Sequence, residues 1–147
     1  MKSVHDFVVT PKGERYNNTK QLDGGELILN TEIFNHEFVN REATVTATPL
    51  VGHADIRAGD TVLVHHNVFR RWHNVKGIEK NSRSYFDDTT YFIAPDQIFL
   101  YKRDGQWICP KGYCFVMPLK AVDQFNMESE KPLQGIVKFS DGTVEVN

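Results

Sequence analysis

The sequence has little cysteine, little net charge and no long apolar run. Its 147 residues include two cysteines, Cys109 and Cys114. Two thiols make no disulfide framework, and around Pro110-Lys111-Gly112-Tyr113 they lack the second pair of a zinc knuckle and the spacing of a redox motif. They are expected to be reduced. No stretch approaches the ~18 consecutive apolar residues of a membrane-spanning helix. Residues 1–9 hold one lysine and a short apolar run broken by His5 and Asp6, without the apolar stretch and small-residue cleavage site of a secretory signal. The expected compartment is the cytoplasm. Seventeen basic residues oppose nineteen acidic ones, for a formal charge of −2. That excludes a strongly basic nucleic-acid coat and an acidic tail, though not a local patch. Convincing helical periodicity is also missing; Ala121–Ser129 is a weak candidate, ended by Pro132. The chain has no G-x-S-x-G, no P-loop lysine motif and no G-x-G-x-x-G after a strand, and Asp87, Asp88 and Asp96 read as turn residues. No catalytic residue and no cofactor is expected.

What is present has a β texture. Hydrophobic residues make up 40% and charged residues 24%, the balance of a globular chain able to build one core. Short strand-favouring runs recur: Phe7–Val9, Glu26–Leu29, Ala43–Ala47, Thr61–His65, Thr90–Ile93 and Ile98–Tyr101. Asp104-Gly105 and Asp141-Gly142 each stand before an alternating run and predict hairpins, because Asp-Gly tolerates positive φ at both central turn positions. Lys12–Gly25 is polar, with Asn17-Asn18 and paired glycines, and reads as a mobile loop. Asn67–Asp88 reads as a long excursion between strands. A faint repeat links Asp6–Pro11 to Cys114–Pro118 and Arg41–Thr46 to Leu133–Lys138.

Several segments, in order, resemble the GroES co-chaperonin family, in a style closer to its bacteriophage members. These are the opening with His5-Asp6, Gly24-Gly25 before Leu27-Ile28-Leu29, Asp55–Val64 around Gly59-Asp60, and Thr90–Phe92 followed by Pro95–Ile98. The match spans roughly residues 1–103. The resemblance implies an all-β, GroES-like, partly closed barrel over residues 1–108, with a mobile loop at 12–29. Residues 109–147 are then a partial second GroES-like unit or β extension. Function follows the same line: a ring, heptameric if it follows the family, that caps a host GroEL-type chaperonin. The chamber would enclose an unfolded client, for example a capsid protein, with ATP handled by the partner. Gly24, Gly25, Leu27, Ile28 and Leu29 would form the chaperonin-binding loop. Three departures stand out. Only Leu50–Ala54 occupies the place of the family's roof hairpin, Glu26 separates the glycines from the aliphatic triplet, and Asn67–Asp88 is inserted.

Alone, Leu27-Ile28-Leu29 reads equally as a core strand. If exposed, each residue buried by a partner contributes about 1.5–3 kcal/mol before ordering is subtracted, and a ring multiplies a weak contact through effective concentration. A second feature is the cationic, aromatic run from Phe69 to Tyr85. Phe69, Arg70, Arg71, Trp72 and Tyr85 suit a cavity or oligomer contact, and the composition also suits a single-strand nucleic-acid groove. His65, His66 and His73 suggest no metal site, since neighbours on a strand point to opposite faces. Two further readings stand beside the chaperone: a virion structural or assembly protein using the same barrel, and a single-strand-binding barrel.

Overall fold

Segments rich in Val, Ile, Thr and aromatic residues build the molecule. The computed structural model describes residues 1–29, 33, 35–52, 55–120 and 130–146. In chain order the strands are β1 (Phe7–Pro11), β2 (Thr19–Leu22), β3 (Gly25–Ile28), β4 (Glu42–Ala47), β5 (Thr61–Val64), β6 (Arg71–His73), β7 (Glu79–Asn81), β8 (Tyr85–Asp87), β9 (Thr90–Ile93), β10 (Ile98–Arg103), β11 (Gln106–Ile108), β12 (Cys114–Lys120) and β13 (Glu130–Ser140). Among the described residues the helical turns are the 3-10 turns His36–Phe38 and Pro95–Gln97, and the protein is all-β. Ala121–Ser129 lies outside the described residues.

Seven strands form one sheet in the order β11-β10-β5-β4-β1-β9-β8, every neighbour antiparallel. No ladder among the described residues joins its edge strands β8 and β11, so the sheet is not a closed barrel. Alternation along the strands sets the core face. Ala43 and Val45, Val62 and Val64, Tyr91 and Ile93 are buried, while the residues between them are only partly covered. Tyr16, Val39, Ile56, Val68 and Phe69 from the connections close over this face and complete one cluster.

A buried ion pair fastens the entrance of β5 to the end of β10. Asp60 is 7% exposed and accepts from Arg103 twice, Nε at 3.1 Å and Nη2 at 2.6 Å, and from the Arg57 N–H at 2.9 Å. The Arg103 hydrogen bonds hold its carboxyl below the ordinary 3.8 against the opposing effect of burial. Protonation is therefore harder in the folded chain than in the unfolded one. The pair stabilises the fold above the unfolded carboxyl pKa, near pH 4, and this contribution is lost as pH falls through the lower folded value. Asp60→Asn is expected to cost about 1.5–3 kcal/mol at neutral pH, because it removes charge-assisted bonds to a desolvated group. Chemical denaturation at pH 7 and at pH 3 checks this: the gap between parent and variant narrows at pH 3. An equal gap at both pH values would remove the pair from the acid response.

The turns divide in outcome. Asp104 (φ 50) and Gly105 (φ 79) make the expected tight link between β10 and β11. Asp141-Gly142 makes no hairpin: residues 143–146 join no ladder. The Asp141 carboxylate instead accepts from the Thr143 N–H (3.0 Å) and hydroxyl (2.6 Å) and from the Gly112 N–H (2.7 Å). These bonds hold its pKa at about 2 and draw the backbone out of strand geometry. Asn67–Asp88 is the long excursion between β5 and β9, with strands of its own. It carries the β6–β7 hairpin and then β8, which pairs with β9.

The repeat has a structural counterpart. β12 pairs antiparallel with β13, as β1 does with β4. The register differs by one residue: Val9 faces Val45, whereas Val116, one place earlier than the counterpart of Val9, faces Val137. A Cβ at Gly135 would meet the Val116 side chain and lie 2.8 Å from the Met117 carbonyl oxygen, so this pairing requires glycine there. The second pair of strands lies mostly in water, with Val116 and Met117 half-exposed. It is tied to the main sheet near its base by the Tyr113 hydroxyl, which donates to the Asp96 carbonyl at 3.3 Å.

Candidate functional site

Two places merit attention, and each is built from a two-stranded hairpin. The first spans residues 12–29. Its root is held by hydrogen bonds to neighbouring elements. The buried Asn40 amide donates to the carbonyls of Lys12 (3.1 Å) and Glu14 (2.9 Å), and its Oδ1 accepts from the Glu42 N–H (3.0 Å). Tyr16 bridges to Val39, and its hydroxyl donates to the Ile33 carbonyl and accepts from the Arg71 N–H, both at 2.8 Å. Beyond this root, β2 and β3 pair from Thr19–Ile28 to Leu22–Gly25, extended by the Leu29 N–H donating to the Asn18 carbonyl at 2.7 Å. The segment expected to be a mobile loop contains the antiparallel β2–β3 hairpin. Gly25, at φ +148, supplies the conformation that a side chain disfavours at the turn.

The aliphatic triplet lies on this arm. Leu27, Ile28 and Leu29 are 47%, 60% and 49% exposed. Among the described residues no third strand stands beside the hairpin, so residues that alternate in direction all reach water. The core-strand reading of the triplet is excluded by this exposure. Hairpins of this size with both faces in water are marginally stable on their own, so a binding surface would complete this one.

The second place is a cleft of about 510 Å³ beside the β6–β7 hairpin. Asn67 and Arg70 come from the β5–β6 connection, Trp72 from β6, Ser82, Arg83 and Ser84 from the β7–β8 connection, and Gln97 from the second 3-10 turn. Arg71 pairs with Glu79 across the hairpin at 3.0 Å, and Ser82 Oγ donates to the Val68 carbonyl at 2.5 Å. The five residues expected to form one contact loop separate. Arg70 and Trp72 line the cleft. Phe69 is fully buried, edge-to-face on Tyr91 at 4.8 Å. Tyr85 packs edge-on against Tyr91 and under Arg15, and Arg71 lies over the Tyr16 ring. Sequence adjacency could not show this, because successive residues leave the chain in different directions. Arg83, at the far end of the same cationic run, also reaches the cleft, whereas Gln97, outside that run, was not anticipated.

No protein-family model, curated protein or solved structure matches the chain.

The histidines depart from the opposite-face expectation. His65 and His66 follow β5 in a turn, where their rings stack at 4.2 Å, and His36 lies 5.0 Å from His66. Burial, then the neighbouring His65, His36, Arg41 and Arg70, push His66 below its ordinary pKa, so it stays neutral near pH 7. Among the described residues no group of three or more His, Cys, Asp or Glu is arranged to hold a metal ion. Cys109 is buried and donates its S–H to the Tyr113 carbonyl at 3.0 Å, with burial pushing the thiol's pKa up, while Cys114 is exposed; both are free. No helix among the described residues is long and apolar enough to cross a membrane.

Proposed function

We propose that this chain is a ring-forming co-chaperonin of GroES type that caps a GroEL-type chaperonin, with Leu27, Ile28 and Leu29 as the contact. The observation that carries the proposal is the exposure of all three aliphatic side chains on an arm whose root is pinned. Three such residues in a row on a soluble surface are a liability unless a groove receives them. The seven-stranded sheet with its single core would correspond to the partly closed barrel of that family, with the family-like segments running through β1, the arm, the approach to β5, and β9 to β10. The short segment at 50–52, whose Leu50 and Val51 N–H groups bond to the Ser3 and Val4 carbonyls, stands where a roof would rise; His53 and Ala54 lie outside the described residues. A dome without a tall roof suits a bulky client.

The contact is weak for one arm and strong for a ring. Each aliphatic residue contributes about 1.5–3 kcal/mol on burial, offset by the ordering of the arm, and several arms acting together multiply the result. The chain itself would leave ATP to its partner. The test is direct: the purified protein, mixed with a GroEL-type chaperonin and ATP, should co-migrate with it and slow its ATPase. Independent migration with an unchanged ATPase would refute the proposal.

A further inference from the structure

The cleft beside the β6–β7 hairpin is independent of the aliphatic arm and shares no residue with it. We propose that it binds a nucleoside phosphate unit, with the base against Trp72 and the phosphate between Arg70 and Arg83. Its volume of about 510 Å³ lies within the roughly 300–1,000 Å³ of small-molecule sites. The wall holds two guanidinium groups, an indole and neutral hydrogen-bonding side chains, and no carboxylate. That set repels nothing anionic and offers one flat surface on which a ring can stack.

The charges of this region sharpen the choice. Arg71 is occupied by Glu79, and Arg15 by the Phe69 carbonyl and the Asn81 side chain. Among the described residues no salt bridge involves Arg70 or Arg83. Arg70 Nε is buried and has no hydrogen-bond partner. A buried, unmatched guanidinium N–H is a standing cost that an incoming anion removes. Trp72 is 44% exposed on β6. The adjoining cleft of about 350 Å³ shares Arg83, Ser84 and Gln97 but carries Asp6 and Asp96. Those carboxylates disfavour phosphate on that side and direct it toward Arg70. Inorganic anions alone would leave the indole unused, so the recognised unit is base plus phosphate. It can arrive as a free nucleotide or within a single strand.

The probes are adenosine monophosphate, followed by equilibrium dialysis, and a dye-labelled eight-nucleotide oligo-dT, followed by anisotropy. Saturable binding of at least one at low salt is expected. Trp72→Ala should weaken it about fivefold or more, and Trp72→Phe should retain most of it. For the oligonucleotide, Arg70→Gln with Arg83→Gln should flatten the logarithmic salt dependence by about 1.4. In a Trp107→Phe background, ligand should quench the remaining indole emission. Binding of the mononucleotide as tightly as the oligonucleotide assigns the site to free nucleotides; binding of the oligonucleotide alone assigns it to single strands. Absence of binding by both at low salt overturns the proposal. So does binding that polyglutamate displaces equally well and that Trp72→Ala leaves unchanged, since this would be charge attraction without a base site. A protein carrying serine at 27, 28 and 29 should bind these probes normally, which separates this outcome from that of chaperonin binding.

Discussion

If this chain caps a chaperonin as proposed, replacing Leu27, Ile28 and Leu29 together by serine should abolish that binding and leave the fold intact. The two halves of this result rest on the same exposure. Side chains that already spend about half their surface in water contribute little to the folded state, so thermal unfolding should move by no more than about 2 °C. The same side chains, buried in a partner, would together supply about 4–9 kcal/mol per arm before ordering costs. Their loss from every arm of a ring removes the whole contact rather than a share of it. Co-sedimentation with the chaperonin and ATP measures the first half, and circular dichroism the second. Binding that persists in the variant places the contact elsewhere. Lys20→Ser, on the paired strand opposite Leu27, provides the control that changes the arm without touching the triplet, and it should bind normally.

Phe69→Ala should unfold the protein far more readily than Trp72→Ala, although the two residues lie three apart in one cationic run. Phe69 is fully buried and packs edge-to-face on Tyr91. Emptying that site costs about 3–5 kcal/mol, a large share of the 5–15 kcal/mol typical of a domain. A fall in melting temperature of about 10 °C follows for a chain of this size. Trp72 is on the exposed hairpin, and its loss should cost well under about 1 kcal/mol. Thermal melts of the two variants decide the matter. Equal melts would mean that Phe69 does not hold the cover over the sheet.

The strands of the main sheet were legible because one of their faces is wet and the other dry. Ala43-Thr44-Val45 carries that alternation in the letters themselves, whereas Tyr91-Phe92-Ile93 alternates in burial but not in residue type. β2 and β3 were not legible as a pair, since Thr19-Lys20-Gln21-Leu22 has water on both sides and nothing selects an alternating pattern. Asp104-Gly105 and Asp141-Gly142 are the same dipeptide with opposite outcomes. At the second, Thr143 and the Gly112 N–H give the carboxylate better partners than a ladder gives the backbone. The aliphatic triplet was legible as a candidate but its exposure was not, because exposure depends on the absence of a third strand. The cleft was partly legible: Arg70, Trp72 and Arg83 belong to the cationic, aromatic run, while Gln97 reaches it only through the turn before β10.

The position of β1 has a consequence in time. It lies inside the sheet, between β4 and β9, with Phe7 facing Ile93. β1 therefore leaves the ribosome well before β9, the strand that completes its pairing. At about 5–20 residues per second, Phe7, Val8 and Val9 stay uncovered for several seconds while their partner is still being synthesised. Pairings this distant in sequence also close slowly once the chain is free. During synthesis of these residues, an apolar strand is thus held without its second neighbour until most of the main sheet has emerged.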